Sequence, residues 1–255
     1  MLTLKNVSAG YNGVPVLRDL NYVFETGKNY CILGPNGCGK TTLVRAIAAL
    51  IPSTGEIEID GRSVRGMRRG ELAAQVAVMG QVSDAYFPYS VYETVMMGRY
   101  HHMRQRLFGL PNAEDREQVD ACIESVGLTE QRGKKINTLS GGQRQRVFLA
   151  RVFAQNPRIV LLDEPTNHLD IRYQMELMEY LGRWTAQGDR SVIGVLHDIN
   201  LALRMTENVL FIHGGRIVGN GKFSEVVSSD FLREVYETDI VHYMRDSFRR
   251  WERIR

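Results

Sequence analysis

At 255 residues the chain has room for one large domain or two small ones, and its 44% hydrophobic and 24% charged residues describe an ordinary soluble globular protein. A net charge of only +3 gives no argument for a nucleic-acid partner, and none is expected. Three scattered cysteines, Cys31, Cys38 and Cys122, form no C-x-x-C pair, which argues against a zinc site or disulfide framework and fits a reducing cytosol. The opening residues, Met1 to Asn6, show no apolar core followed by a cleavage site, so no signal peptide is expected. No apolar run approaches the roughly 18 residues needed to span a bilayer. Work at a membrane would need a second chain to supply the membrane part.

Leu2 to Val7 alternates apolar and polar residues, as a half-buried strand does, and a second strand is expected around Val14 to Phe24. Tyr11 lies between them, either a half-exposed strand-end tyrosine or a stacking platform for a base. Tyr30-Cys31-Ile32-Leu33 reads as a short buried strand and Leu43 to Leu50 as a helix. Between them runs Gly34-Pro35-Asn36-Gly37-Cys38-Gly39-Lys40-Thr41-Thr42, whose G-x-x-x-x-G-K-T spacing fits a phosphate-binding loop. Glycines let the backbone wrap an anion with its N–H groups inward, and the helix beginning near Lys40 adds its positive end. Lys40 would reach the terminal phosphates, and the Thr41 hydroxyl would ligate Mg²⁺. Cys38 is small enough to fill space in the loop, and a bulky thiol reagent there is expected to block nucleotide entry.

Further on, Thr54 to Gly61 reads as a strand with a turn and Val76 to Met79 as another buried strand, with Gln81 just beyond, where it could sense a metal or a water. From about Val91 to Gln155 strand-like runs are missing and Val91 to Met97 and Ala113 to Val126 have helical spacing, which reads as a helical insertion between two halves of an α/β core. His101-His102 reads as solvated surface, with a metal pair a poor second reading, since neighbours on a helix do not share a face. Ser140 is a good N-cap, so a helix with an open, anion-accepting start is expected from Gly141-Gly142-Gln143. Ile159 to Leu162 is a buried strand that delivers Asp163 and Glu164 to a sheet edge, Asp163 toward Mg²⁺ and Glu164 toward the attacking water as general base. Adjacent residues on a strand point opposite ways, so the two acids can serve different partners. A helix follows over about Ile171 to Gln187, then a strand over Ser191 to Leu196 with His197 at its end, a hairpin around His213-Gly214-Gly215, and two short helices. The end, from Arg245, carries five arginines with Phe248 and Trp251, a solvated helix or frayed end, with contact to anionic lipid head groups as the alternative.

Taken together, and decisively at Leu139-Ser140-Gly141-Gly142-Gln143, the chain resembles the ATP-binding subunits of ABC transporters over about Met1 to Tyr236. The resemblance implies an α/β fold: a phosphate-loop NTPase core, RecA-like with an antiparallel β subdomain, over about 1–88 and 157–236, an inserted helical subdomain over about 89–156, and a basic tail over about 237–255. Tyr11 matches the adenine-stacking aromatic, Gly34 to Thr42 the Walker A loop and Gln81 the glutamine loop, a contact to Mg²⁺ or water. Asp163 and Glu164 match the Walker B acid and catalytic glutamate, Asn167 to Asp170 the D-loop and His197 the switch histidine. It further implies a head-to-tail dimer of two copies, in which Ser140, Gly141, Gly142, Gln143 and Asp170 of one chain complete the ATP site of the other. Partners would be transmembrane permease subunits, docked on the region from Tyr86 to His102, and indirectly an extracytoplasmic substrate-binding protein. The chain would then sit peripherally on the cytoplasmic face of the inner membrane. Thr94 to Arg99 and Glu164 to Ile171 are similar to the importers of iron siderophores, haem and cobalamin, with zinc or manganese importers, exporters and soluble ABC-type ATPases as alternatives.

Overall fold

The computed structural model describes residues 1–253 apart from 81–87, 105, 107–108, 168 and 187. Two sheets carry the fold. The first is antiparallel and has four strands in the order β2 (Val14–Phe24), β1 (Leu2–Tyr11), β4 (Ser53–Ile59) and β5 (Arg62–Ser63). Asn12 and Gly13, with φ of 51° and 79°, make the two-residue connection between β1 and β2, the left-handed pair that matches strand twist in a tight hairpin. The second sheet has six strands in the order β10 (Arg216–Lys222), β9 (Asn208–His213), β3 (Tyr30–Leu33), β8 (Ser191–Val195), β7 (Ile159–Asp163) and β6 (Val76–Met79). All neighbours in it run parallel except the β9–β10 hairpin.

The short apolar runs of β3, β7 and β8 are continuous rather than alternating because both faces of the parallel sheet are covered. Ile32, Leu161, Ile193 and Leu210 pack on one side, with the antiparallel sheet and α1 (Lys40–Ile47). Cys31, Leu33, Val160, Leu162 and Phe211 pack on the other, with the helices. The six-stranded sheet therefore divides two hydrophobic cores, and the phosphate-loop helix lies in the first of them.

Between β6 and β7 the described residues form no strand but the helices α3 (Val91–Met96), α4 (Tyr100–Arg104), α5 (Ala113–Ser125) and α6 (Gly141–Ala154), with single 3₁₀ turns and one isolated bridge between Ser90 and Lys135. Val95, Ile123 and Phe153 join the second core from this region. The remaining helices are α2 (Arg69–Gln75) before β6, α7 (Ile171–Thr185) before β8, α8 (Ile199–Met205) after it, then α9 (Phe223–Val226), α10 (Ser229–Tyr236) and α11 (Ile240–Trp251). α2 has no counterpart in the sequence reading. It is short, contains Gly70, and is held at its start by Glu71, whose carboxylate accepts from the Arg68 N–H at 3.0 Å. The tail is a helix capped by Asp239, with no buried residue.

The helical region has one fully buried carboxylate. Asp115 is 0% exposed, accepts from Arg99 Nε at 2.9 Å, from the Asn112 N–H at 3.1 Å, and from Arg106. Burial alone would raise its pKa, but the hydrogen bonds from Arg106, Asn112 and Arg99 outweigh that and lower it from 3.8 to about 2. A depressed carboxyl adds stability above its unfolded pKa, and that stability is lost as pH falls through the folded value. That lowering corresponds to roughly 2–3 kcal/mol. Acid titration followed by circular dichroism should show Asp115→Asn abolishing the part of the stability loss that falls between about pH 4 and pH 2. Asp115→Ala should lower stability at pH 7 by about 3–5 kcal/mol, since it strands two arginines.

Candidate functional site

The loop after β3 is built by two close approaches. Gly34 has φ +143°, and a Cβ on it would stand 2.1 Å from the Ile212 carbonyl oxygen of β9. Gly39, at φ +111°, would place a Cβ 2.5 Å from Leu17 of β2. Between them Asn36 and Gly37 form an exposed apex, while Cys38, Gly39 and Lys40 are buried. α1 starts without a side-chain cap, so its first N–H groups are open to an anion. Gly34 gives its N–H to the Tyr236 hydroxyl at 3.1 Å and Pro35 has none, so the amides that can face an anion begin at Asn36. Lys40 folds back over the loop and donates from Nζ to the Gly34 and Pro35 carbonyls, each at 2.8 Å. Cys38 packs into the first core, and burial pushes its thiol pKa up, so its space-filling role is plain and alkylation needs the loop to open.

At the neighbouring strand ends, the Thr41 hydroxyl donates to Asp163 Oδ1 at 2.9 Å. Burial raises the Asp163 pKa, more than the Thr41 hydrogen bond lowers it. Glu164, next in the chain, does not follow the strand pleating expected of it. β7 ends at Asp163, and Glu164 has φ 56°, in the left-handed region rarely taken by residues other than glycine. That conformation costs roughly 1–3 kcal/mol. It is held by the Glu164 N–H, which donates to the Val195 carbonyl at 3.1 Å, so the turn stays tied to the end of β8. The carboxylate is gripped at both oxygens: His197 Nε2 lies 2.6 Å from Oε1, and Asn167 Nδ2 donates to Oε2 at 2.6 Å.

Tyr11 ends β1 beside α1, 38% exposed, and accepts from Arg45 at 3.1 Å. Gln81 lies outside the described residues. The start of α6 is exposed at Ser140 and Gly141, and its hydrogen bonds close on themselves: the Gln143 N–H donates to Ser140 Oγ at 3.3 Å, and the Ser140 N–H to Gln143 Oε1 at 3.0 Å. Asp170 caps α7, accepting from the Tyr173 N–H at 3.1 Å, and is exposed. So the loop, Asp163, Glu164 and His197 meet at one sheet edge, whereas Ser140, Gly141 and Asp170 are exposed and Gly142 is half-buried. Sequence reading gives no part to Gln145, which is buried and donates to the Pro165 carbonyl at 2.6 Å, joining α6 to the turn that holds Glu164. The only signal for it was a glutamine on the inner face of a helix. His101 and His102 are half-buried rather than solvated, with rings stacked 4.6 Å apart and His102 Nε2 3.0 Å from the Gln155 carbonyl. Among the described residues no three histidine, cysteine or carboxylate side chains cluster as a metal cage.

The ABC transporter family profile matches residues 17–167. The chain is 34% identical over 239 residues to the iron(3+)-hydroxamate import ATP-binding protein FhuC of Bacillus subtilis, covering 93% of this chain and 88% of that protein. It is 34% identical over 255 residues to the hemin import ATP-binding protein HmuV of Bradyrhizobium diazoefficiens, covering 96% of this chain and 92% of that one. Among solved structures, an ATP-binding cassette captured as a dimer in a post-hydrolysis state with ADP and Pi superposes with a TM-score of 0.76 at 29% identity, over 87% of this chain and 98% of its own. With that domain match and that identity over nearly its whole length, the chain belongs to the ABC transporter family, as an ABC-type ATP-binding subunit and ATPase.

Proposed function

We propose that the chain powers import of an iron chelate, haem or a cobalamin-type substrate through a membrane permease, by closing as a dimer on ATP and reopening after hydrolysis. The observation that carries the hydrolytic part is the Glu164 carboxylate, held by His197 and Asn167 beside the Thr41–Asp163 pair. Glu164 takes the proton from the attacking water, and His197 fixes its geometry and reaches the γ-phosphate. Lys40 and the loop amides up to Thr42 hold the phosphates, and Tyr11 stacks on adenine. Phosphoryl transfer needs chiefly this positioning and charge stabilisation.

Thr41 and Asp163 would hold Mg²⁺, with Gln81 as a further ligand. Both described donors are oxygens, as a hard divalent cation requires. When bound, the ion offsets phosphate charge. The solvent-facing start of α6 supports the view that Ser140, Gly141, Gly142 and Gln143, with Asp170, serve a second copy's nucleotide.

An open groove of about 960 Å³ between α2 and α4, lined by Arg62, Met67, Arg69, Ala73, Tyr100 and Arg104, supports permease docking on this side. No helix among the described residues is long and apolar enough to cross a membrane. In this reading the permease supplies the bilayer part and the chain sits peripherally on the cytoplasmic face. An extracytoplasmic binding protein would deliver the cargo to that permease. The names of the hydroxamate and hemin import relatives support the substrate class.

Glu164→Gln should keep ATP binding, lower turnover by about 10²–10⁴ and accumulate a closed dimer, read by steady-state hydrolysis and light scattering. Near-normal turnover would remove Glu164 from its role. A tagged chain drawn from detergent-solubilised native membranes should bring a polytopic permease, identified by mass spectrometry. Recovery of ribosomes or DNA-repair proteins instead would contradict the transport assignment.

A further inference from the structure

The phosphate loop is fastened from a place that its motif does not include. Its first peptide N–H, at Gly34, leaves the sheet ladder where β3 ends and donates to the Tyr236 hydroxyl at 3.1 Å. Tyr236 is the last residue of α10, 202 positions downstream. The hydroxyl is held in place by several independent contacts. His213 Nδ1, at the end of β9, lies 3.0 Å from the Val235 carbonyl. Glu237 turns the chain sharply with φ 54°, and Arg233 Nη2 meets Asp239 Oδ2 at 2.8 Å across that turn. Leu232 and Val235 are buried, and Phe231 stands edge-on to Phe211 of β9 with ring centroids 5.0 Å apart. Helix α10 is thus anchored to β9, the strand whose Ile212 carbonyl presses on Gly34 from the other side.

Gly34 is therefore gripped at both of its polar groups: Tyr236 takes the N–H, and Lys40 donates to the carbonyl at 2.8 Å. These two grips differ in one respect. Lys40 must give at least part of its hydrogen bonding to phosphate oxygens when a nucleotide enters, whereas Tyr236, packed on the second core, has no such competing duty. We propose that Tyr236 is a positioning residue of the nucleotide site, which holds the first turn of the phosphate loop in its anion-binding shape when Lys40 turns from the loop to the phosphates. The proposal rests on the loop at 34–42 being the nucleotide site.

Because the loop shape serves ground state and transition state alike, its loss should act on binding rather than on the chemical step. The test is calorimetric titration of the full chain with Mg-ADP, together with steady-state ATP hydrolysis, for the unaltered chain, Tyr236→Phe, Phe231→Leu and Lys40→Ala. Tyr236→Phe removes only the hydroxyl. Its Mg-ADP Kd and its KM for ATP should rise about three- to tenfold, the effect of one hydrogen bond, with kcat within about twofold. Phe231→Leu removes one of several contacts that anchor the helix and leaves the hydroxyl–amide bond itself, so it should lower the melting temperature and raise Kd less than Tyr236→Phe does. Lys40→Ala should lose most nucleotide affinity. An unchanged Kd in Tyr236→Phe, or an equal rise in Phe231→Leu, would overturn the proposal. Unaltered binding by Lys40→Ala would instead displace the nucleotide site itself, and the proposal with it.

Discussion

The register of three parallel strands sets everything that happens at the nucleotide edge. Val195, the last residue of β8, pairs with Ile32 of β3 on one side and with Asp163 of β7 on the other. That alignment brings the phosphate loop, the two acids and His197 to one level, although they are far apart in the chain. A slip of one residue would turn every side chain of a strand to the opposite face. The register cannot slip cheaply, because alternate residues of these strands fill two different cores. The hydrophobic packing of the sheet is thus also the alignment of the site.

Beyond the strand ends the backbone departs from regular geometry, and there hydrogen bonds do the positioning. Glu164 occupies a left-handed conformation because its N–H is tied to Val195 and its carboxylate is clasped by His197 and Asn167. Gly34 can leave β3 sideways because it has no Cβ and because Tyr236 takes its N–H. Gln145 couples the turn after β7 to α6, whose start faces outward. A change at that outward face therefore has a short covalent and hydrogen-bonded route to the carboxylate.

Much of this was legible in the residues. The strands at Tyr30 to Leu33, Val76 to Met79 and Ile159 to Leu162 are short apolar runs, and the structure has them there. The Ser140 cap and the helix from Gly141 follow from a hydroxyl placed before two glycines. What pattern could not supply is long-range. The turn at Glu164 depends on a carbonyl of another strand, and the Tyr236 contact joins residues 202 apart, so no local spacing records either. The stacked pair His101–His102 defeated a rule that holds for long helices, because it lies in a five-residue helix that directly follows a 3₁₀ turn. α2 escaped notice because Gly70 and two arginines mask seven residues whose helix is fixed by Glu71 at its start.

In the function proposed above, the loop with its acids and the outward start of α6 are two half-sites, and a complete site forms only between two copies. The most direct measurement mixes two inactive forms of the chain. Lys40→Ala disables the loop half. Gly142→Asp places a carboxylate where the γ-phosphate would come, at a helix start that tolerates an acid well. Each form alone should hydrolyse ATP at background rate. Mixed in equal amounts, they should recover activity well above the sum of the two, because a mixed dimer contains one site with an intact loop and an intact α6 start. A mixture no more active than that sum would contradict the shared site.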